Sequence, residues 1–138
     1  MKYITLIIII MSGVFYQIFS KSIPSTVNPF ASLIVTYTVA LIMAFILYFL
    51  TSKVSIFEEI KNLNSSSILL GVVICFYELG FVLAYRNGFH ISNLSPIANV
   101  FIMLILVPIG FIFFKEHTTY THILGLIIAA TGILIAMK

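Results

Sequence analysis

Apolar residues run through this chain in five long stretches, which short polar segments separate. The stretches cover about residues 3–20, 30–51, 67–86, 91–114 and 121–137. Each approaches the roughly 20 apolar residues that a helix needs to cross a hydrocarbon core, and none is long enough to cross it twice. Since a helix satisfies its own backbone groups in lipid, the pattern predicts an all-α membrane protein, with residues 1–138 forming a single domain of five transmembrane helices.

Residues typical of helix ends lie between the stretches. Asparagine, serine and threonine favour the position just before a helix, and glycine suits the left-handed position just after one. The predicted N-caps are Asn28, which precedes Pro29, then Ser65 or Ser66, and finally Thr118 or Thr119. Asn87 and Gly88 are predicted to end the third stretch.

The longest polar segment, residues 52–66, has a helical pattern of its own. Ser55 and Glu58 have the spacing of a capping box. One face of the predicted helix is apolar and consists of Ile56, Phe57, Ile60 and Leu63. We therefore expect a short helix lying in the membrane interface, with Glu58 and Glu59 on its solvated face rather than forming a paired-carboxylate acid–base site.

Composition narrows the class of protein. Hydrophobic residues make up 62% of the chain and charged residues only 8%, with a mean hydropathy of +1.22. The net charge of +3 is spread over the ends of the stretches, which argues against a nucleic-acid partner. Cys75 is the lone cysteine, and His90, His117 and His122 lack the spacing of a metal site. We expect no metal or other cofactor.

The distribution of basic residues favours one orientation only weakly. Five spans would place Lys2, Lys53, Lys61 and Lys115 on one side of the membrane, and Lys21, Arg86 and Lys138 on the other. Orientation follows the excess of lysine and arginine on the cytoplasmic side, and the counts here are nearly equal. Two interpretations stay open: a single orientation with a poor signal, or insertion both ways, which would allow an inverted pair.

Glu78 is an isolated carboxylate inside the third stretch. An acidic residue at the centre of a spanning helix costs about 2.5–3.5 kcal/mol on insertion scales, so it usually faces a cavity, a partner or a substrate path. Gly71 and Tyr85 share its helical face. Glu78 either exchanges a proton for a cationic substrate or bonds helices together. Arg86 is expected to anchor the helix at the headgroups rather than to pair with Glu78.

Further polar residues form stripes on neighbouring stretches. The candidate substrate- or proton-binding residues are Glu78, Tyr85, Tyr77, Tyr16, Gln17, Asn99 and Ser95. Polar groups in hydrocarbon need partners, so the stripes should point inward, either lining a cavity or bonding between helices. The aromatic rings among them could hold a cation, at about 0.5–2 kcal/mol each.

Packing residues mark the last two stretches. Pro108 removes a backbone hydrogen bond and predicts a kink near Leu104, while Pro96 lies in the first turns of the same stretch. The fifth stretch has a face of small residues, namely Gly125, Ala129, Gly132 and Ala136. Such a face lets helices approach closely, so it is predicted to be a packing surface within the chain or between chains.

The order of short motifs in the second half resembles the EamA-type repeat of the drug/metabolite transporter superfamily. The motifs are Ala84 to Gly88, Ser95-Pro96, Lys115-Glu116, Gly125 and Gly132. The first half agrees more loosely, through Gly13, Lys21, Pro24 and Pro29. The resemblance covers essentially the whole chain. One departure is Lys115, which stands where the repeat usually has glycine and is expected only to alter a helix end.

The resemblance implies a transporter for small molecules. Members usually carry two inverted five-helix repeats, so this chain would be one protomer of a pair, expected to be an antiparallel homodimer in a bacterial or archaeal plasma membrane that works by alternating access. The expected coupling to a proton or cation follows from Glu78. Its size is similar to that of the small multidrug resistance proteins. Those have four helices and a key glutamate in the first, whereas the first stretch here has no acid, so that role is not transferred to any residue.

Two other functions remain open from the sequence. One is a subunit of a heteromeric flippase for a lipid-linked sugar, and the other is an accessory membrane subunit that transports nothing. An enzyme is not expected, because no nucleophile with a plausible base and no phosphate-binding loop is found. The sequence does not specify the substrate.

Overall fold

The computed structural model describes residues 2–115 and 119–136, and within these ranges it is helical without any strand. The helices are α1 (Lys2–Ser22), α2 (Pro29–Thr51), α3 (Ile56–Lys61), α4 (Ser65–Arg86), α5 (Ile91–Phe113) and α6 (Tyr120–Ala136). Their order and positions follow the apolar stretches, with α3 in the long polar segment. The prediction of an all-α chain is confirmed.

Among the described helices, α1, α2, α4 and α5 are long and apolar enough to cross a membrane, so the protein is a membrane protein. Helix α6 is apolar but shorter, with 17 residues, or about 25 Å at 1.5 Å per residue. A fifth crossing therefore stays a prediction. Pro96 and Pro108 both lie inside α5, which is continuous from Ile91 to Phe113; the kink near Leu104 also stays a prediction.

Asparagine side chains begin two of the long helices. The Asn28 side chain accepts a 2.9 Å hydrogen bond from the Phe30 backbone N–H, and Pro29 follows at the first helical position, as predicted. Helix α4 is capped by Asn64, whose side chain accepts from Ser66 N–H at 3.1 Å. The prediction of Ser65 or Ser66 as the cap was wrong, because both serines already lie inside the helix.

Of the two residues predicted to cap α6, only Thr119 lies within the described ranges. The Thr119 backbone carbonyl, just before α6, accepts from His122 and Ile123 N–H, as expected of a residue at a helix start. The alternative cap, Thr118, lies outside the described residues, as do Glu116 and His117.

A residue with left-handed backbone conformation follows two of the described helices. Asn87 N–H bonds to the Leu83 carbonyl, and Gly88 follows with φ +93°, so the predicted end of the third stretch is confirmed. After α5 the left-handed residue is Lys115, with φ +52°. A β-carbon is strained in this conformation, and glycine would relieve the strain.

The segment between α2 and α4 contains the predicted short helix. Ser55 stands at the N-cap of α3, but its side chain makes no capping bond; its backbone carbonyl accepts from Glu58 and Glu59 N–H instead. The capping box that we predicted from Ser55 and Glu58 is therefore not formed. Both glutamates are exposed. That α3 lies in the interface stays a prediction.

Contacts divide the chain into two compact units. The central unit comprises Ile18–Asn87, where α2 packs against α4. The terminal unit comprises the described residues of Met1–Gln17 and Gly88–Lys138, where α5 packs against α6. The buried apolar side chains of the central unit are Leu33, Phe81, Val82 and Tyr85, and that of the terminal unit is Leu126. Most other large apolar side chains are exposed, a surface suited to lipid.

Helix α6 buries Leu126 and keeps most of its small residues exposed. A β-carbon on Gly125 or Gly132 would meet no atom within 4 Å, and both glycines are exposed, as is Ala136. Ala129 is half-buried. Close packing through the glycines is thus not used within the described chain, and their use between chains stays a prediction.

Candidate functional site

Glu78 lies on the buried face of α4. Its side chain is 7% exposed, and the spacing of three and four residues places Phe81, Val82 and Tyr85 on the same face. It stands eight residues before Arg86, the last residue of the helix, or about 12 Å along the axis. The carboxyl is therefore inside protein rather than in lipid, and it lies just past the midpoint of the helix, on the C-terminal side.

The polar neighbour of Glu78 is Tyr37 of α2. The Tyr37 hydroxyl and the Glu78 carboxyl lie close enough to interact electrostatically. The hydroxyl is nevertheless buried without a hydrogen-bond partner within the described part of the chain. A buried hydroxyl that lacks a partner is destabilising, so a small movement of either side chain, or a ligand between them, would satisfy it.

An apolar groove reaches Tyr37. Its volume is about 500 Å³, and α2 forms most of the wall, with Cys75 of α4 completing it. The α2 residues include Phe30, Leu33, Ile34, Tyr37 and Leu41. A molecule with an apolar body would fit these walls, and Tyr37 would connect it to the carboxyl of Glu78.

Three aromatic rings form a row along α4. The ring centroids of Tyr77 and Phe81 are 4.9 Å apart, and those of Phe81 and Tyr85 are 6.1 Å apart. The structure thus brings the predicted residues Tyr77 and Tyr85 together through Phe81, which the sequence did not single out. Such pairs stabilise the packing by about 0.5–1.5 kcal/mol beyond area burial.

A cation of the protein itself lies over Tyr85. The Lys21 ammonium, near the end of α1, is 5.4 Å from the Tyr85 ring centroid and donates a 3.4 Å hydrogen bond to the Tyr85 carbonyl. The prediction that the Tyr85 ring lies near a bound substrate remains untested, but Lys21 already occupies a cation position over that ring.

Arg86 binds the loop that follows α1. One guanidinium nitrogen donates to the Pro24 carbonyl at 3.4 Å. A cavity of about 380 Å³ lies between this loop and the end of α4, lined by Ser20, Lys21, Ser22, Ile23, Pro24, Ser25, Val82, Tyr85 and Arg86. Two cations and three serines thus meet at one end of the central unit.

The remaining predicted residues belong to the terminal unit, and three of them meet there. The Gln17 side-chain amide of α1 donates to the Ser95 hydroxyl of α5 at 3.0 Å, and the Asn99 amide donates to the same hydroxyl at 3.5 Å. Tyr16, next to Gln17, is half-buried. The Gln17–Ser95 bond joins two helices, and this favours the interhelical interpretation of these polar residues.

The seven predicted site residues therefore fall into two groups. Glu78, Tyr77 and Tyr85 belong to the central unit, and Tyr16, Gln17, Ser95 and Asn99 to the terminal unit. The sequence did not single out Tyr37 or Lys21 as site residues. Tyr37 lies between Thr36 and Thr38 in a short polar stretch of α2, a weaker signal than the isolated charge of Glu78.

No set of three or more histidine, cysteine, aspartate or glutamate side chains could hold a metal ion within residues 2–115 and 119–136.

Comparison with known proteins yields no match: no family profile, characterised protein or solved structure is similar to the chain. The resemblance to the EamA-type repeat therefore rests on the short motifs alone.

Proposed function

We propose that the chain is a small-molecule transporter protomer of the drug/metabolite type, coupled to a proton or a cation through Glu78. The observation that carries the proposal is the buried Glu78 carboxyl beside the Tyr37 hydroxyl, on two helices suited to crossing a membrane. Burying an ionisable side chain in a membrane helix costs free energy, and such residues typically serve a substrate or ion path.

The chemistry follows from the two states of the carboxyl. With a proton bound, Glu78 is neutral and can donate a hydrogen bond to the Tyr37 oxygen. Without it, the buried negative charge needs a counter-charge, which a cationic substrate would supply. Binding of a proton and of a cation to one carboxylate are mutually exclusive, so release of one accompanies uptake of the other.

The apolar groove beside Tyr37 supports a substrate with an apolar body. Its walls are aliphatic and aromatic side chains of α2, interrupted by the hydroxyls of Tyr37 and Thr38. Pockets of this kind bind through apolar contact and orient the ligand by a few polar groups. We therefore favour lipophilic cations over sugars or amino acids as first substrates to test.

Pairing with a second copy would complete the transport path. The weak charge bias permits both orientations, and the extensive exposed apolar surface of α1, α2, α4 and α5 leaves room for helix contacts between chains. Two inverted copies would enclose a central site and alternate its access by rocking. The motif order that resembles the EamA-type repeat implies the same arrangement.

Transport in proteoliposomes tests the role of Glu78. With a pH gradient and a panel of lipophilic cations such as tetraphenylphosphonium and ethidium, proton-linked flux should fall by at least about tenfold in Glu78→Gln, a change of about 1.4 kcal/mol. Glu58→Gln, at an exposed acid of α3, is the matched control and should retain flux. Equal proton-linked flux in wild type and Glu78→Gln would remove Glu78 from the mechanism.

Topology mapping tests the pairing. Reporters placed at Lys138 and in residues 52–66 should be labelled from both faces of the membrane if the chain inserts both ways. Labelling from one face only would exclude an antiparallel homodimer and leave a heteromeric pair. Cysteine introduced at Asn99 or Tyr85 tests for a water-filled path. If water-soluble thiol reagents never label these positions, a non-transporting subunit is favoured.

A further inference from the structure

The cavity at the end of α4 combines positive charge with hydrogen-bonding side chains. Lys21 and Arg86 line it together with Ser20, Ser22 and Ser25. The Ser22 hydroxyl already donates a 2.8 Å hydrogen bond to the Ile18 carbonyl. No acidic side chain is among the residues that line it. A volume of about 380 Å³ accommodates a small polar group with its water.

Two buried polar atoms in the cavity wall have no partner within the described residues. The Ser20 side chain is 6% exposed, and its hydroxyl makes no hydrogen bond. The Nε of Arg86 is buried and unbonded as well, although another nitrogen of the same guanidinium bonds the Pro24 carbonyl. Buried donors without partners are destabilising, so an acceptor placed in the cavity would be bound favourably.

The charge balance of the cavity favours an anion. Lys21 and Arg86 bring two positive charges. The C-terminal ends of α1 and α4 lie there too, and each contributes roughly −0.5 charge through its last carbonyls. The sum remains about +1. The negative helix ends therefore neutralise only part of the positive charge of Lys21 and Arg86.

The chemistry of the donors indicates the kind of anion. A guanidinium and serine hydroxyls are the groups that bind the oxygens of phosphate, with arginine offering a planar fork of donors. Since α1 and α4 are suited to crossing the membrane, the residues at their ends lie near the lipid headgroups. We propose that this cavity binds a phosphate group, supplied either by a membrane lipid headgroup or by a phosphate-bearing solute.

The site is separate from the proposed exchange at Glu78. Arg86 follows Glu78 by eight residues, about 12 Å along α4, and Glu78 does not line the cavity. Phosphate binding could therefore be present without transport, and transport without phosphate binding.

Binding measured through stability tests the site. The purified protein would be melted in detergent, followed by helical circular dichroism, with rising sodium phosphate against sodium chloride at equal ionic strength. A second arm would add phosphatidylglycerol against a phosphate-free glycolipid with the same acyl chains. Ligands that bind only the folded state raise Tm, and the stabilisation grows with the logarithm of ligand concentration over Kd.

The variants separate a specific site from general charge. We expect the affinity for phosphate, for phosphatidylglycerol or for both to fall at least about tenfold in Arg86→Gln, since it removes a charge-assisted bond. Ser20→Ala removes only an unbonded hydroxyl, leaves the fold intact, and should weaken binding by about threefold. Ser12→Ala on the exposed part of α1 and Lys53→Gln are the controls and should bind as wild type does. If Arg86→Gln does not fold, Arg86→Lys keeps the charge but loses the planar fork, and should show the same direction of change.

Each outcome decides the proposal. A Tm shift with phosphatidylglycerol alone assigns the site to a lipid headgroup, and a shift with sodium phosphate alone or with both assigns it to a phosphate group irrespective of the lipid. No shift with either probe overturns the proposal. Equal losses in Arg86→Gln and Lys53→Gln also overturn it, because the effect would then be surface charge.

Discussion

The two halves of α4 have similar apolar sequences but different surroundings. In residues 65–77 the large apolar side chains are exposed, and Phe76 is 70% exposed. In residues 78–86 one face is buried, and Phe81 on that face is 5% exposed. The same contrast separates Val72, 51% exposed, from Val82, 1% exposed. Leucine, glycine, valine, phenylalanine and tyrosine occur in both halves, whereas glutamate, alanine and arginine occur only in the buried half.

The difference shows that apolar character does not decide which half of a membrane helix is buried. Lipid is as apolar as the side chains, so helix contacts depend on close packing and polar bonds. The buried half contains Glu78 and Tyr85, and the end of α1 is bound to it through Lys21. The exposed half, over residues 65–77, places its polar side chains mainly in the first turn.

Removal of the central ring should have the largest effect on stability. Phe81 packs between Tyr77 and Tyr85, so Phe81→Ala should lower the free energy of unfolding by about 3 kcal/mol, the lower end for a buried phenylalanine. Phe76→Ala is the matched control and should change it by less than about 0.5 kcal/mol. Denaturant unfolding in micelles, followed by circular dichroism, measures both. Similar losses would show that the two halves are equally packed.

A smaller truncation sharpens the same comparison. Val82→Ala removes two buried methyl groups and should cost about 1–2 kcal/mol through lost packing contacts. Val72→Ala removes the same atoms from an exposed position and should be nearly neutral, within about 0.5 kcal/mol. The two variants differ only in position along one helix. A cost for Val72→Ala equal to that of Val82→Ala in a reconstituted dimer, but not in the monomer, would place Val72 at a contact between chains.

The residues that end the helices should show opposite effects. The buried half of α4 ends at Gly88 in the left-handed region, so Gly88→Ala should destabilise the protein by about 1 kcal/mol. Lys115 has the same kind of conformation after α5, and Lys115→Gly should stabilise by about 0.5–1 kcal/mol. Thermal melting of each variant beside wild type measures the two changes in stability. A destabilised Lys115→Gly would mean that the lysine side chain has a stabilising role of its own.

The contact of Lys21 with α4 should have the smallest effect. Lys21→Met removes the cation over Tyr85 and the bond to its carbonyl, and should cost about 0.5 kcal/mol at this exposed side chain. Added salt should reduce the difference, because it screens exposed charges. Lys53→Met serves as the control for loss of one charge. The interaction of Lys21 with Tyr85 would be discounted if both variants melted alike at low salt.

Local sequence signals predicted the helices well. The lengths of the apolar stretches marked α1, α2, α4 and α5, and Asn28 with Pro29 marked the start of α2, because caps act through bonds within a few residues. The same reasoning placed the N-cap of α4 one or two residues too late, at Ser65 or Ser66. Asn64 and the serines after it can all cap a helix, and the backbone of the folded helix selects Asn64.

Part of the candidate site was also predictable from the sequence. Glu78 stood out because a charge inside an apolar stretch is expensive. Tyr37 and Lys21 did not stand out as site residues, since a tyrosine and a lysine at those places are ordinary in a membrane helix. Their roles depend on the packing of α2 against α4 and on the contact between the ends of α1 and α4.

The sequence by itself determined that this is a helical membrane protein, where its helices lie, and that Glu78 is its unusual charge. These properties depend on apolar length and on local hydrogen bonds, which neighbouring residues specify. Tertiary structure alone decided that the buried half of α4 is its C-terminal half, that Tyr37 adjoins Glu78, and that Lys21, Arg86 and Ser20 surround one cavity. Those features arise from contacts between residues distant in sequence, for which the apolar pattern contains no specific signal.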